Sequence, residues 1–254
     1  MNNLRKKIDN KEKITGALVS LTEPCMCEIM GNIGFDCVWI DTEHTHMSYT
    51  DVLCHLNAAK SSGIASVVRL PQNDFTATKK ILEMAPDGVI FPMVRSAKEA
   101  NELIEMTLYP PYGTRGFGPL RAIGYGAEDA KEYVDKKCFE MCRFLQIEHV
   151  DMINELEEIV KNPYIDGYIF GPNDLSASLG DFLNVSGEKT TEQMKRAVEI
   201  LRKHGKYIGL AGGHSPEDIK RWTAFGLDML FAGADWTYVY DKGRETLSCI
   251  KEYL

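Results

Sequence analysis

A short apolar run, a turn and an amphipathic helical stretch recur eight times along the 254 residues. The apolar runs are Ile14–Leu21, Phe35–Asp41, Ala65–Leu70, Asp87–Val94, Phe139–Glu148, Ile165–Pro172, Tyr207–Gly213 and Leu227–Asp235. Near-continuous apolar content of this length marks strands buried on both faces, as in parallel sheets. The stretches between them carry helix signals. Ser96-Ala-Lys-Glu99 is a capping box ahead of Ala97, Ala100, Leu103 and Ile104 at helical spacing. Ser215-Pro216 places an N-cap before a proline at the first helical position, ahead of Ile219 and Trp222. Thr190 with Gln193 is expected to open another helix, carrying Ala197, Ile200 and Leu201. Eight β-then-α units in about 250 residues is the size of a closed (β/α)8 barrel. Strand spacing stretches after the fourth and sixth runs, where extra loop is expected. An open doubly wound sheet is the rival, but neither G-x-G-x-x-G nor G-x-x-x-x-G-K is present. With no Gly/Ser-rich or Pro-rich linker, residues 1–254 read as a single α/β domain.

Composition narrows the function. Hydrophobic residues make up 44% and charged residues 26%, close to an ordinary globular chain, which excludes disorder and disulfide-dependent miniproteins. The longest stretch free of Asp, Glu, Lys and Arg, Tyr207–Pro216, is far too short to span a bilayer. A net charge of −8 without a basic stripe argues against nucleic acid and anionic membranes as partners. No apolar segment follows the N-terminal Met1-Asn-Asn-Leu-Arg-Lys-Lys, so no secretory signal is expected. Seven cysteines, an odd number, then point to free thiols in a reducing cytoplasm. The pairs Cys25/Cys27 and Cys138/Cys142 lack zinc-site spacing and read as buried structural thiols.

In a barrel of this type, active sites form at the C-terminal ends of the strands. Four ends carry groups that are costly to bury. The second strand ends in Asp41-Thr-Glu43-His44-Thr-His46, the third in Arg69, the fifth in Gln146-Ile-Glu148, and the sixth runs into Gly171-Pro-Asn173-Asp174. Buried ions persist when paired or metal-bound. Glu148 and Asp174 therefore read either as ligands of a hard divalent ion or as two acids neutralised by Arg69. His44-x-His46 could bind metal only if the strand continued there, so His44 alone is expected to be functional and His46 to be a loop or interface residue. No lysine falls at a strand's C-terminal end, which argues against a Schiff base. There is no G-x-S-x-G and no cysteine with an evident base. The Gly-, Arg- and aromatic-rich loop Tyr109–Arg121 is expected near the mouth of the site.

Taken in order, Asp41-x-Glu-His44, Val-Val-Arg69, Phe-Pro-Met-Val94, Tyr-Pro-Pro-x-Gly-x-Arg115-Gly, Gln146-Ile-Glu148 and Gly171-Pro-Asn-Asp174-Leu-Ser176 resemble the HpcH/HpaI aldolase family over nearly the whole chain. Its members include 4-hydroxy-2-oxoheptanedioate and 2-dehydro-3-deoxyglucarate aldolases. The resemblance implies a barrel of the phosphoenolpyruvate/pyruvate-domain type, assembled as a homo-oligomer, a hexamer of dimers exchanging a C-terminal helix. It implies a class II lyase that cleaves or forms the C3–C4 bond of a 4-hydroxy-2-oxo acid, giving pyruvate and an aldehyde, with Mg, Mn or Co as cofactor. Glu148 and Asp174 would be the metal ligands, His44 the base and Arg69 the group on the enolate oxygen. Asp41 would be a supporting acid. Gln146 and the backbone amides of Asn173 and Asp174 would meet the substrate, with a turn opening a helix offering free N–H groups to its carboxylate. Glu83 stands where some members pair an Asp with the histidine. Phe117 and Ala211 depart from the apolar residues that line the aldehyde side elsewhere. Two further readings stay open. One is a related lyase acting on a CoA thioester or decarboxylating an oxo acid. The other is a barrel without catalysis.

Overall fold

The computed structural model describes residues 2–254. Eight parallel strands close into a barrel in the order β1 to β8. They are β1 (Ile14–Val19), β2 (Cys37–Asp41), β3 (Ala65–Arg69), β4 (Gly88–Phe91), β5 (Cys142–Ile147), β6 (Gly167–Phe170), β7 (Tyr207–Gly212) and β8 (Met229–Ala234). Each lies inside the corresponding apolar run, trimmed by a few residues where the run continues into a turn. The helices are α1 (Asn3–Asp9), α2 (Cys25–Ile33), α3 (Tyr49–Ser62), α4 (Phe75–Glu83), α5 (Ala97–Glu105), α6 (Ala130–Asp135), α7 (Val150–Asn154), α8 (Leu156–Ile159), α9 (Pro172–Ser178), α10 (Glu188–Lys203), α11 (Pro216–Thr223) and α12 (Asp235–Tyr253). Ser96 caps α5 through the Glu99 amide, but the Glu99 carboxylate accepts the Arg95 amide, so the expected box is only half formed. Ser215 caps α11 with Pro216 at the first turn, as expected. The helix expected to open at Thr190 instead starts at Glu188 on Gly187, and Thr190 is buried within it.

Strand periodicity sorts the side chains into two layers. Val38, Ile40, Val68, Val89, Phe91, Leu145, Tyr168 and Phe170 face outward and pack with Met30, Val52, Leu56, Ile81 and other helix residues. The alternate residues Cys37, Trp39, Val67, Ile90, Phe144, Ile169 and Phe231 fill the interior. Trp39 and Phe231 meet edge to face at 5.2 Å. A Cβ on Gly16 would lie 2.3 Å from the Phe231 ring, so this strand position has no room for a side chain. Leu4 of α1 plugs the N-terminal end of the barrel and is wholly buried, a contact that stabilises by about 1.5–3 kcal/mol. Arg5 clamps the plug through two hydrogen bonds to Asp166 at 2.7 and 2.8 Å.

The interior alternation decides what reaches the other end. Asp41 continues the phase of Cys37 and Trp39, and Arg69 that of Ala65 and Val67. Gln146 and Glu148 continue Cys142 and Phe144. All four therefore point into the C-terminal mouth.

Two further expectations are corrected. The loop Tyr109–Arg121 follows α5 and precedes β5, so it leaves from the N-terminal end, and Gly118 and Leu120 share a groove with α3 and α4 outside the barrel that includes none of Asp41, Arg69, Glu148 or Asp174. Both arginines are used there. Arg115 pairs with Glu83 at 3.1 Å and stacks on Tyr109, with 4.6 Å to the ring centre. Arg121 donates to Asn57 Oδ1 at 2.8 Å and to the Met84 carbonyl. Among the cysteines, Cys27, Cys138 and Cys142 are buried as expected, but Cys25 is exposed, because it opens the outer face of α2. Among the described residues, no helix is long and apolar enough to cross a membrane.

Candidate active site at the barrel mouth

Asp41 and Arg69 are register partners on adjacent strands. Arg69 Nε donates to Asp41 Oδ1 at 2.9 Å and Nη2 to Oδ2 at 2.7 Å. Arg69 Nη1 also stands 2.9 Å from Glu43 Oε2, an ion pair without hydrogen-bond alignment. Beneath it the guanidinium lies 5.2 Å from the Trp39 ring centre. Burial alone would lower the Arg69 pKa, but Asp41, then Glu43 and Glu148, turn the net shift upward. It stays a cation.

The Asp41 carboxylate also folds the turn above it. Its Oδ1 accepts the Glu43 amide at 3.0 Å and, more weakly, the His44 amide at 3.5 Å. This local fold aims Glu43 inward and leaves His44 on the rim, its side chain 66% exposed and Nε2 3.8 Å from Glu43 Oε2. Sequence alone does not single out Glu43. The only signal is its place inside the Asp41-x-Glu-His44 motif. Burial raises its pKa, with Asp41 and Asp174 adding to the rise and Arg69 and His44 opposing it.

Glu148 sits deeper. Its Oε2 accepts the Met93 amide at 3.0 Å and its Oε1 accepts Gln146 Nε2 at 2.6 Å. Burial drives its pKa up to about 7, against the Met93 amide and Arg69, with Glu43 and Asp174 adding to the rise. Gly171 makes this position possible, because a Cβ there would lie 2.4 Å from Glu148 Oε1. Asp174 lies in the first turn of α9, close enough to Glu148 and Glu43 to repel both electrostatically. The Gln146 Oε1 atom is buried with no hydrogen-bond partner in the chain.

These residues fit a hard divalent cation. Glu148, Asp174 and Gln146 offer oxygen donors only, the preference of Mg and Mn. A cation would relieve the crowding of acids and give the Gln146 oxygen a nearby positive charge. Among the described residues, no three or more His, Cys, Asp and Glu side chains are grouped so that they could hold a metal ion by themselves. Water and substrate oxygens would have to complete the shell, as such ions normally require.

The sequence candidates thus divide. Asp41, Arg69, Gln146, Glu148 and Asp174 come together at the mouth with Glu43, and His44 stands at its rim. Asn173, also in the first turn of α9, is exposed. Glu83 ends α4 at the far end of the barrel, where it pairs with Arg115 and not with His44. Ala211 is half-buried on β7, packed against the interior layer, and Phe117 is exposed. A cavity of about 720 Å³ lined by Lys60, Asp87 and Arg121 also lies at the far end and holds none of the mouth residues.

Residues 15–225 match the family model described as HpcH/HpaI aldolase/citrate lyase. A hydroxypyruvate/pyruvate aldolase from Roseovarius nubinhibens is 27% identical over 247 residues, 97% of this chain and 96% of that protein. A 4-hydroxy-2-oxo-heptane-1,7-dioate aldolase from Shigella sonnei is 31% identical, covering 87% of this chain and 84% of its own length. The crystal structure of an HpcH/HpaI aldolase from Desulfitobacterium hafniense superposes with a TM-score of 0.92 at 25% identity, over 99% of this chain and 98% of that one.

Proposed function

The chain belongs to the HpcH/HpaI aldolase/citrate lyase family, and from that premise we propose that it is a divalent-metal-dependent lyase of 4-hydroxy-2-oxo acids, releasing pyruvate and an aldehyde. The observation that carries this is the convergence of buried Glu148 and Gln146 with half-buried Asp174 at the barrel mouth that also holds the Arg69 guanidinium. Glu148 and Asp174 would hold the cation. When bound, it supplies Lewis acidity toward a 2-oxo acid.

The chain's own residues account for the rest. Arg69 has five N–H donors, and its contacts with Asp41 and Glu43 leave N–H groups on Nη1 and Nη2 to meet an enolate oxygen. Asp41 and Glu43 fix the guanidinium plane, so no reorganisation is needed as charge develops. His44 on the rim takes the C4 hydroxyl proton, a role suited to an imidazole near neutral pH. The C4–O bond then becomes a carbonyl, the C3–C4 bond breaks, and its electron pair forms the pyruvate enolate. Protonation at C3 completes cleavage. The Asn173 and Asp174 amides, which make no hydrogen bond among the described residues, face the substrate carboxylate.

Residues 1–254 act as a single domain in this reading. Its exposed C-terminal helix α12, with Trp236, Val239, Tyr240, Leu247 and Ile250 uncovered, supports a homo-oligomer, a hexamer of dimers by resemblance. Seven free thiols support a cytoplasmic setting. The internal engagement of Arg115 and Arg121 weighs against a CoA nucleotide site.

The test is pyruvate release, coupled to lactate dehydrogenase, from a panel of 4-hydroxy-2-oxo acids after chelation and after adding back Mg, Mn or Co. Turnover restored by a divalent ion supports the assignment. Turnover indifferent to chelation, or none across the panel, contradicts it.

A further inference from the structure

Met93, two residues past β4, has φ +51°, in the left-handed region that a residue with a long side chain rarely occupies. Such outliers persist where the surroundings over-determine them, and they gather at functional sites. Here the surroundings are specific. The Met93 N–H donates to Glu148 Oε2 at 3.0 Å. The carbonyl of the same peptide unit, that of Pro92, accepts Asn73 Nδ2 at 2.6 Å. One peptide plane is thus gripped at both ends, by the loop after β3 and by the acid at the end of β5.

We propose that the Pro92–Met93 peptide is a positioning element for Glu148, and that the left-handed turn at Met93 holds its N–H on the carboxylate so that the acid can receive a divalent cation. The inference rests on the reading of Glu148 as a metal ligand. Phe91 is locked in β4 and Val94 is wholly buried, so neither flank can move to accommodate a different φ at Met93. A residue that rejects the left-handed region would instead rotate the peptide between them, and Glu148 would lose its amide partner. The contact is made by backbone, so the methionine side chain itself is dispensable.

This separates the variants cleanly. Glycine adopts a positive φ freely and asparagine tolerates it, whereas a β-branched residue resists it. The measurement is the Mn²⁺ dissociation constant of the full chain, read from the free-ion EPR signal, with thermal unfolding to confirm that each variant is folded. Met93→Gly and Met93→Asn should keep the wild-type affinity. Met93→Ile should weaken it about tenfold or more, the usual cost of losing a partner that orients a ligand. Asn73→Ala, which frees the other end of the peptide, should weaken it in the same direction and serves if Met93→Ile fails to fold.

Wild-type affinity in folded Met93→Ile or in Asn73→Ala would overturn the inference. So would Met93→Gly losing as much as Met93→Ile, because the side chain would then be responsible. Failure of the wild-type chain to bind Mn²⁺ would overturn the metal reading itself, and this inference with it. That result is distinguishable, since no variant would then differ from the parent.

Discussion

Asp41 and Arg69 stand side by side in the β2–β3 register, and the guanidinium meets the carboxylate through two near-parallel hydrogen bonds of 2.9 and 2.7 Å. Such a fork fixes the plane as well as the position of the cation. An ammonium has the charge but not the plane. Arg69→Lys is therefore expected to lower kcat for pyruvate release by about 100-fold or more, the usual scale for losing an oxyanion donor, while the protein stays folded. Steady-state kinetics beside a thermal melt check this. Unchanged kcat would remove Arg69 from the chemistry.

Gly171 carries the Glu148 side chain against its α-carbon, so close that a Cβ added to the glycine would lie only 2.4 Å from Oε1. Gly171→Ala should push the carboxylate out of place and weaken Mn²⁺ binding by about tenfold or more. Isothermal titration reads the loss. Retained affinity would show that the carboxylate can yield without leaving its ligand position.

Burial raises the Glu148 pKa from an ordinary 4.5 to about 7. A raised carboxyl pKa means that the folded state favours the protonated acid. The stability tied to this group is complete below pH 4.5 and is lost as pH rises through 7. The metal-free wild type should therefore lose stability relative to Glu148→Gln across that window. Parallel denaturant titrations at several pH values measure the difference. A gap that is constant with pH, or that moves the other way, contradicts the assignment.

Arg115 is buried between Glu83 and the Tyr109 ring, at the far end from the mouth. Arg115→Ala leaves Glu83 without its partner and should cost about 3 kcal/mol of stability, the lower range for breaking a buried pair. Chemical denaturation measures that, and Mn²⁺ affinity per folded chain should not change. A stable variant would mean that the loop does not depend on this anchor.

Much of this is legible in the sequence because the barrel is a repeat with a strict polarity. Once eight apolar runs are read as parallel strands, every strand end falls at one mouth, and Asp41, Arg69, Glu148 and Asp174 are brought together without any detail of packing. Glu43 is harder, because its inward aim comes from a turn folded by the Asp41 carboxylate, not from strand alternation. The Tyr109–Arg121 loop is easily misplaced because its composition suits either end of a barrel. Only its position after α5 decides which. Glu83 shares that difficulty, standing at the end of a helix that carries it away from His44. The left-handed turn at Met93 leaves no mark in the sequence at all, since methionine gives no hint of a positive φ.

In the proposed site, Glu148 and Asp174 share a single divalent ion. Mn²⁺ titration of the wild type, Glu148→Gln and Asp174→Asn, followed by the free-ion EPR signal, tests this most directly. Saturable binding at one site per chain in the wild type, lost in both folded variants, is the predicted result. Wild-type binding in either variant would contradict it.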